Sequence, residues 1–260
     1  TDEKFDYGTD NERKDFDEFT VEKDIDWINN SKEPFFLYTN LQATHYPYSY
    51  PDTSNYNLNN SLLENNHIFT PDLPSQDTDY FKIEETDLIA SINDYDNSIV
   101  YVDKQIGKML NFLENNGYLN NTIIVITSDH SEALISKHDN RIRHGFGVYN
   151  EEIIVPLLIY VPNQSHLIIS EPVRHIDVIP TVIDFIGLPQ SKEFQGEPMR
   201  KNQKLFVMTQ NQNLRIGLIK DNLKIIMNTF NFDVEAYNLT LDPFEQKNLI
   251  KNSKDERYFY

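Results

Sequence analysis

EETDLIASINDYDNSIVYVDKQIGKMLNFLENNGYLNNTIIVITSDH, Glu84–His130, is the stretch whose reading decides the fold. Leu88, Ile92, Tyr95, Ile99, Val102, Ile106, Met109 and Leu113 recur at alternating intervals of four and three. That spacing draws one apolar stripe along a helix. Gly117 follows where a helix end calls for a left-handed residue. NTIIVITSDH (Asn121–His130) then reads as a buried strand, a β-branched run that ends in ionisable groups. A coiled coil is the alternative for the helix, but the flanking charges are not regular enough for one.

Outward from this unit the chain keeps an α/β order. TVEKDIDWINN, from Thr20, reads as a short helix capped by Thr20, with Ile25, Trp27 and Ile28 on its apolar face. PFFLYTN (Pro34–Asn40) reads as a buried strand, and residues 41–80, rich in Tyr, Pro, Asn, Asp and Ser, as a long loop of the kind that often carries function. VPLLIYVP (Val155–Pro162) is a second core strand. HIDVIPTVIDFIGLP is a helix stopped by Gly187, in which Pro180 is tolerable only within the first turn. After Gly196 come LFVMTQ, LRIGLIKD, LKIIMNTF and EAYNLT, short strands with an Asp221-Asn222 turn, which predict an antiparallel subdomain. The division is 1–33 lead-in and short helix, 34–196 α/β domain, and 197–260 small α+β subdomain.

Composition narrows the function. The chain has 260 residues, enough for one large domain or two small ones, and a formal net charge of −18. Such acidity argues against nucleic acid as a partner and against a polybasic membrane-surface module. There is no cysteine, so disulfides, thiolate metal sites and a cysteine nucleophile are excluded from these residues. No apolar run is long enough to cross a membrane as a helix. The first residues, TDEKFDYGTD, show neither an initiator Met nor a leader pattern, which fits a processed N-terminus or a piece of a longer protein.

In open α/β sheets, ligands bind beyond the carboxyl ends of strands. Asp129 and His130 occupy such an end and make half of a cation site, although an Asp there also serves as an ordinary cap or turn residue. His138 and His144 follow in the same loop with Arg141 and Arg143 beside them, and His45 lies on the Tyr/Pro-rich loop after the other strand. This grouping suggests an anion-handling or acid–base site. Taken singly, each histidine also fits a surface loop position. His67, His166 and His175 read only that way.

Five segments in order carry a resemblance to a known family. YDNSIVYVDKQIGKMLNFLENNGYLNNTIIVITSDHSEAL, RHGFGVYNEEIIVPLLIYVP and RHIDVIPTVIDFIGLP are similar to the sulfatase branch of the alkaline phosphatase superfamily. So is the ending AYNLTLDPFEQKNL, and PFFLYTNLQATHYPY resembles the family's strand and His-x-Pro motif. The resemblance runs from about Phe35 to Leu249. It implies an alkaline-phosphatase-like mixed sheet flanked by helices, with a small antiparallel α+β subdomain at the C-terminal end. It also implies that Asp129 and His130 bind the divalent cation and that His45 contacts the ester. By the same resemblance His144 binds the sulfate or assists the leaving group, and His138 matches the His of a Glu-His-Gly stretch. Asp103 reads as a helix-packing or capping residue. Ser131 stands where the family has Gly, which reduces backbone freedom at that turn.

The family's formylglycine motif, C/S-x-P-x-R, and the acidic pair that completes the cation site are expected upstream; this sequence holds neither. These 260 residues alone are therefore expected to be inactive and to need the N-terminal half or a partner chain, since TIIVITS as a parallel strand would keep an unpaired edge. Calcium is the first expectation for the cation, with manganese or zinc admitted by the His130 nitrogen. The resemblance implies a sulfate-ester substrate, glycan or envelope component, and an extracytoplasmic or membrane-anchored setting through an upstream region. Two alternatives stand beside the hydrolase: a phosphoethanolamine or phosphoglycerol transferase of the same superfamily, and a non-catalytic binding or regulatory module.

Overall fold

A computed structural model of the chain describes residues 16–31, 34–46, 48, 50, 85–134, 138, 144, 145, 147–169, 172–199, 205–208 and 214–250. Two compact units are formed, residues 1–121 and 122–260.

In the first unit, α1 (Phe16–Asn30) begins four residues before Thr20, so Thr20 lies inside the helix and does not cap it. Asp17 and Glu18 fill the first turn instead, where negative charge meets the positive end of the helix dipole. Asp17, Val21 and Ile28 are buried along one side. The Asp17 carboxylate accepts the backbone N–H groups of Gln42 and Ala43 at 2.7 and 2.9 Å, which ties the following loop to the helix.

The long helix α2 (Glu85–Asn115) is as predicted. Its end is a Schellman motif: Gly117 has φ 78°, and the N–H groups of Gly117 and Tyr118 donate to the carbonyls of Glu114 and Leu113. The buried face is rotated from the predicted stripe. Asn97, Ser98, Tyr101, Gln105 and Leu113 are buried, whereas Ile99 is 43% exposed. The reason is α1, which packs on α2 through polar groups: Tyr101 Oη accepts the Glu18 N–H at 3.1 Å, and Lys108 pairs with Glu18. Asp103 is exposed in mid-helix, neither packed nor capping.

Pro34–Asn40 was expected to be a strand. It alternates like one, with Phe36 and Tyr38 at 76% and 77% exposure and their neighbours half-buried. Yet no ladder partner lies beside it among the described residues, and a strand is defined by its partner. Phe35 anchors the segment edge-on to Trp27 and Tyr118. Most of the loop 41–80, including His67, lies outside the described residues.

In the second unit, β1 (Ile124–Thr127) pairs with β2 (Leu157–Tyr160). The pairing is antiparallel, with Ile124 opposite Tyr160 and Thr127 opposite Leu157. Among the described residues the returning segment 157–160 supplies one ladder of TIIVITS, and β1 keeps its other edge open there. The short helix α3 (Asn150–Ile153) precedes β2. The helix α4 (Val178–Phe185) has Pro180 in its first turn and ends at Gly187, φ 71°, in a second Schellman motif. Gly196 is required by space, because a Cβ there would lie 1.9 Å from the Ile176 carbonyl oxygen.

The C-terminal strands form the predicted antiparallel subdomain. Its four strands are β3 (Leu205–Met208), β4 (Arg215–Lys220), β5 (Leu223–Asn228) and β6 (Val234–Asn238), in consecutive order. Asp221, φ 53°, turns the β4–β5 hairpin. The ending DPFEQKNLI folds back on it: Ile250 packs on Val234 and Ala236, and the Leu249 N–H donates to the Ala236 carbonyl at 2.8 Å. No helix among the described residues is long and apolar enough to cross a membrane.

Candidate active site

Beyond β1 the backbone turns through Ser128–Ser131, and this turn aims two of the predicted groups. The Asp129 carboxylate is 87% exposed and accepts the His130 N–H at 3.0 Å. Its other oxygen is 3.6 Å from His130 Nε2, so one oxygen and one nitrogen gather on the same side. His130 Nδ1 is 3.0 Å from the Ser131 carbonyl oxygen. A carbonyl only accepts, so Nδ1 carries the proton and the lone pair is on Nε2. Ser131 itself is not in the left-handed region, and its N–H donates to the Glu152 carbonyl at 3.0 Å; the position does not require Gly.

His144 joins this pair. Its ring stacks on that of His130 with centroids 3.7 Å apart and planes 29° from parallel. His144 Nδ1 donates to Glu132 Oε2 at 2.7 Å. The hydrogen bond to Glu132 raises the His144 pKa above its ordinary value; burial opposes this, and the nearby charges of Glu132, Asp129 and Glu152 add to it.

Glu132 was not among the residues singled out from sequence. In SDHSEAL it reads as an ordinary polar position, and its partner lies twelve residues on. The side chain is only 7% exposed, and among the described residues Oε1 has no hydrogen-bond partner. Ligand atoms of His130, Glu132 and His144 all lie within 4.8 Å of one another, close enough to share an ion. Mixed nitrogen and oxygen donors, beside the exposed Asp129 carboxylate, suit a divalent cation. The buried orphan oxygen fits the same conclusion.

The remaining predicted residues are placed differently. His138 is held by the C-terminal ending: Nε2 donates to the Glu245 carbonyl at 2.8 Å, Nδ1 is 3.2 Å from Glu151, and the ring lies flat on Tyr149 at 3.5 Å. Glu245 in turn pairs with the fully buried Lys224 at 2.6 Å and accepts the Asn150 N–H at 2.6 Å. His45 belongs to the first unit, where it is exposed in a turn closed by Gln42 and Tyr48. His166 and His175 are exposed as expected. Arg141 and Arg143 lie outside the described residues.

An acid and an imidazole thus meet at a strand end, with a second imidazole stacked on the first. The Sulfatase family model matches residues 1–188, and the chain belongs to the sulfatase family. An endo-4-O-sulfatase of Bacteroides thetaiotaomicron is 26% identical over 172 residues, covering 63% of this chain and 31% of its own length. Arylsulfatase K of Bos taurus is 26% identical over 200 residues, 65% of this chain and 36% of its own. The chain thus spans about a third of the length of these curated relatives. Among solved structures, the phosphonate monoester hydrolase of Agrobacterium radiobacter superposes with a TM-score of 0.68 at 19% identity, covering 89% of this chain and 56% of its own. An enzyme solved with its substrate D-glucosamine-2-N,6-O-disulfate superposes with a TM-score of 0.53 at 23% identity, covering 66% and 39%. The fold is that of the alkaline phosphatase superfamily.

Proposed function

We propose that this chain supplies the cation-binding and leaving-group side of a sulfate-ester hydrolase whose nucleophile lies in an upstream segment. The observation that carries the reading is the stack of His144 on His130 directly beside Asp129. Asp129 and His130 would hold the divalent cation, calcium first and manganese or zinc next. When bound, the cation supplies positive charge that offsets the sulfuryl oxygens and lowers the pKa of what it holds.

The chain's own residues do the rest. In its protonated form, which the Glu132 hydrogen bond favours, His144 can attract the sulfate and donate its Nε2 proton to the ester oxygen as the S–O bond breaks. Nδ1 stays on Glu132 throughout. His138, tied to Glu245 and Tyr149, would support the loop that carries His144 without touching substrate. A sulfated sugar is the proposed substrate class, supported by one relative named an N-acetylglucosamine-6-O-sulfatase and one solved structure that holds D-glucosamine-2-N,6-O-disulfate as its substrate. An extracytoplasmic setting is proposed with it, from the family resemblance alone.

The test uses the longest form of the protein isolated from its source. Its turnover of 4-nitrophenyl sulfate and of a 6-O-sulfated glucosamine is measured with calcium and with chelator. Cation-dependent turnover is expected, with His144→Ala lowering kcat/KM by about 10²-fold or more. The 260-residue chain is expected to be inactive by itself. Turnover by these residues alone, or phosphoethanolamine transfer in place of sulfate hydrolysis, would overturn the reading.

A further inference from the structure

We infer that Glu132 is a positioning residue: its buried carboxylate fixes the tautomer and the direction of the His144 ring. The inference rests on the proposed role of His144 and adds to the site a residue that neither the strand-end motif nor the loop histidines contain.

Three observations carry it. First, Glu132 Oε2 accepts from His144 Nδ1 at 2.7 Å, a charge-assisted contact. A carboxylate only accepts, so the proton is pinned on Nδ1 and Nε2 is left as the working atom. Second, the His130 ring is fixed in the same tautomer by a different device, the Ser131 carbonyl at 3.0 Å. The two stacked rings therefore present the same nitrogen for use. Third, the Glu132 side chain is 7% exposed, yet among the described residues Oε2 is engaged and Oε1 has no hydrogen-bond partner. A buried carboxylate kept for stability alone would satisfy both oxygens. Among the described residues its hydrogen bond goes to this ring, and the second oxygen is left for the cation that the same cluster can hold. Carboxylates that orient an imidazole in this manner recur behind metal-ligating and acid–base histidines.

Two variants of the longest native form test the proposal. Glu132→Gln keeps an acceptor oxygen of the same reach; Glu132→Ala removes it. Ring 15N spectra of histidine-labelled protein report the His144 tautomer directly and need no turnover. In the parent protein the neutral ring should be protonated at Nδ1. In Glu132→Ala the Nε2-protonated form should become populated, and kcat should fall about 10- to 100-fold with KM within about twofold. Glu132→Gln should keep the parent tautomer and recover part of kcat. An unchanged tautomer in a folded Glu132→Ala would overturn the assignment, and so would equal losses in both variants. If the parent protein turns over no sulfate ester, the hydrolase reading fails, and the spectra still decide the role of Glu132.

Discussion

Glu245→Ala should be among the most damaging single changes in the second unit, although Glu245 lies far from the stacked histidines in sequence. Lys224 is fully buried, and its ammonium has two contacts, Glu245 Oε1 at 2.6 Å and Asn150 Oδ1 at 3.1 Å. Removing the carboxylate strands a buried charge, which costs about 3–5 kcal/mol. It also leaves the Asn150 N–H without its acceptor at 2.6 Å, about 1 kcal/mol more. Deprotonation of Lys224 caps the sum, so we expect a loss of about 4 kcal/mol, a large share of the about 5–15 kcal/mol that a domain possesses. Urea unfolding followed by far-UV circular dichroism measures it, with the slope unchanged. Replacing both partners, Lys224→Met with Glu245→Leu, should cost less than Glu245→Ala alone, because no charge is left buried. The sign of the pH effect gives a second check. Burial pushes the Lys224 ammonium below its ordinary range, and Glu245 opposes that push. A depressed folded pKa means that the unfolded chain holds more protons, so this group's contribution to stability rises with pH up to about 10. Without Glu245 the rise should be steeper. A loss below about 1 kcal/mol, or a double variant that costs the sum of the two singles, would refute the reasoning.

The two glycines at tight places should differ in kind. Gly117→Ala meets no atom within 4 Å and pays only for φ 78°, about 1–2 kcal/mol in unfolding free energy. Gly147→Ala places a Cβ 2.7 Å from the Tyr149 ring and 2.8 Å from Glu152 Oε1, so it should cost about 1–3 kcal/mol and shift the Tyr149 near-UV signal. Asp17→Ala orphans the N–H groups of Gln42 and Ala43 and should cost the first unit about 2 kcal/mol, read from hydrogen exchange at those amides. Burial raises the Asp17 pKa against those two hydrogen bonds. Its stabilising margin over Asp17→Ala should therefore be largest below about pH 4 and shrink as pH rises through the folded-state pKa; a margin that grows with pH would contradict this.

The parts of the fold that were legible in sequence are the parts set by neighbours along the chain. The α2 period and its Gly117 stop, Pro180 in the first turn of α4, the Gly187 stop and the Asp221 hairpin all depend on contacts within a few residues. Asp129 and His130 were legible for the same reason, as polar groups directly following a β-branched run. The partner groups were not. Glu132 reads as a plain loop acid until His144, twelve residues away, folds onto it. Glu245 reads as one acid in a charged ending until Lys224, Asn150 and His138 close around it, the last 107 residues distant.

Local pattern also says that an apolar segment will be buried without saying against what. Pro34–Asn40 alternates as a strand should, but a ladder is a property of two segments, and none pairs with it among the described residues. TIIVITS is a strand in either direction of pairing, and the antiparallel choice came from where residues 157–160 return. The α2 stripe predicted a helix correctly and its buried face incorrectly, because distant groups meet a polar face: Glu18 of α1 reaches Tyr101 and Lys108, and Tyr50 accepts from the buried Asn97. By itself the sequence determined the helices, their ends, the C-terminal meander and the acid–imidazole pair at a strand's end, all through short-range sterics and hydrogen bonds. Tertiary structure alone decided strand direction, which helix face is covered, and which buried carboxylate serves which cation, because those energies arise between groups that chain order leaves far apart.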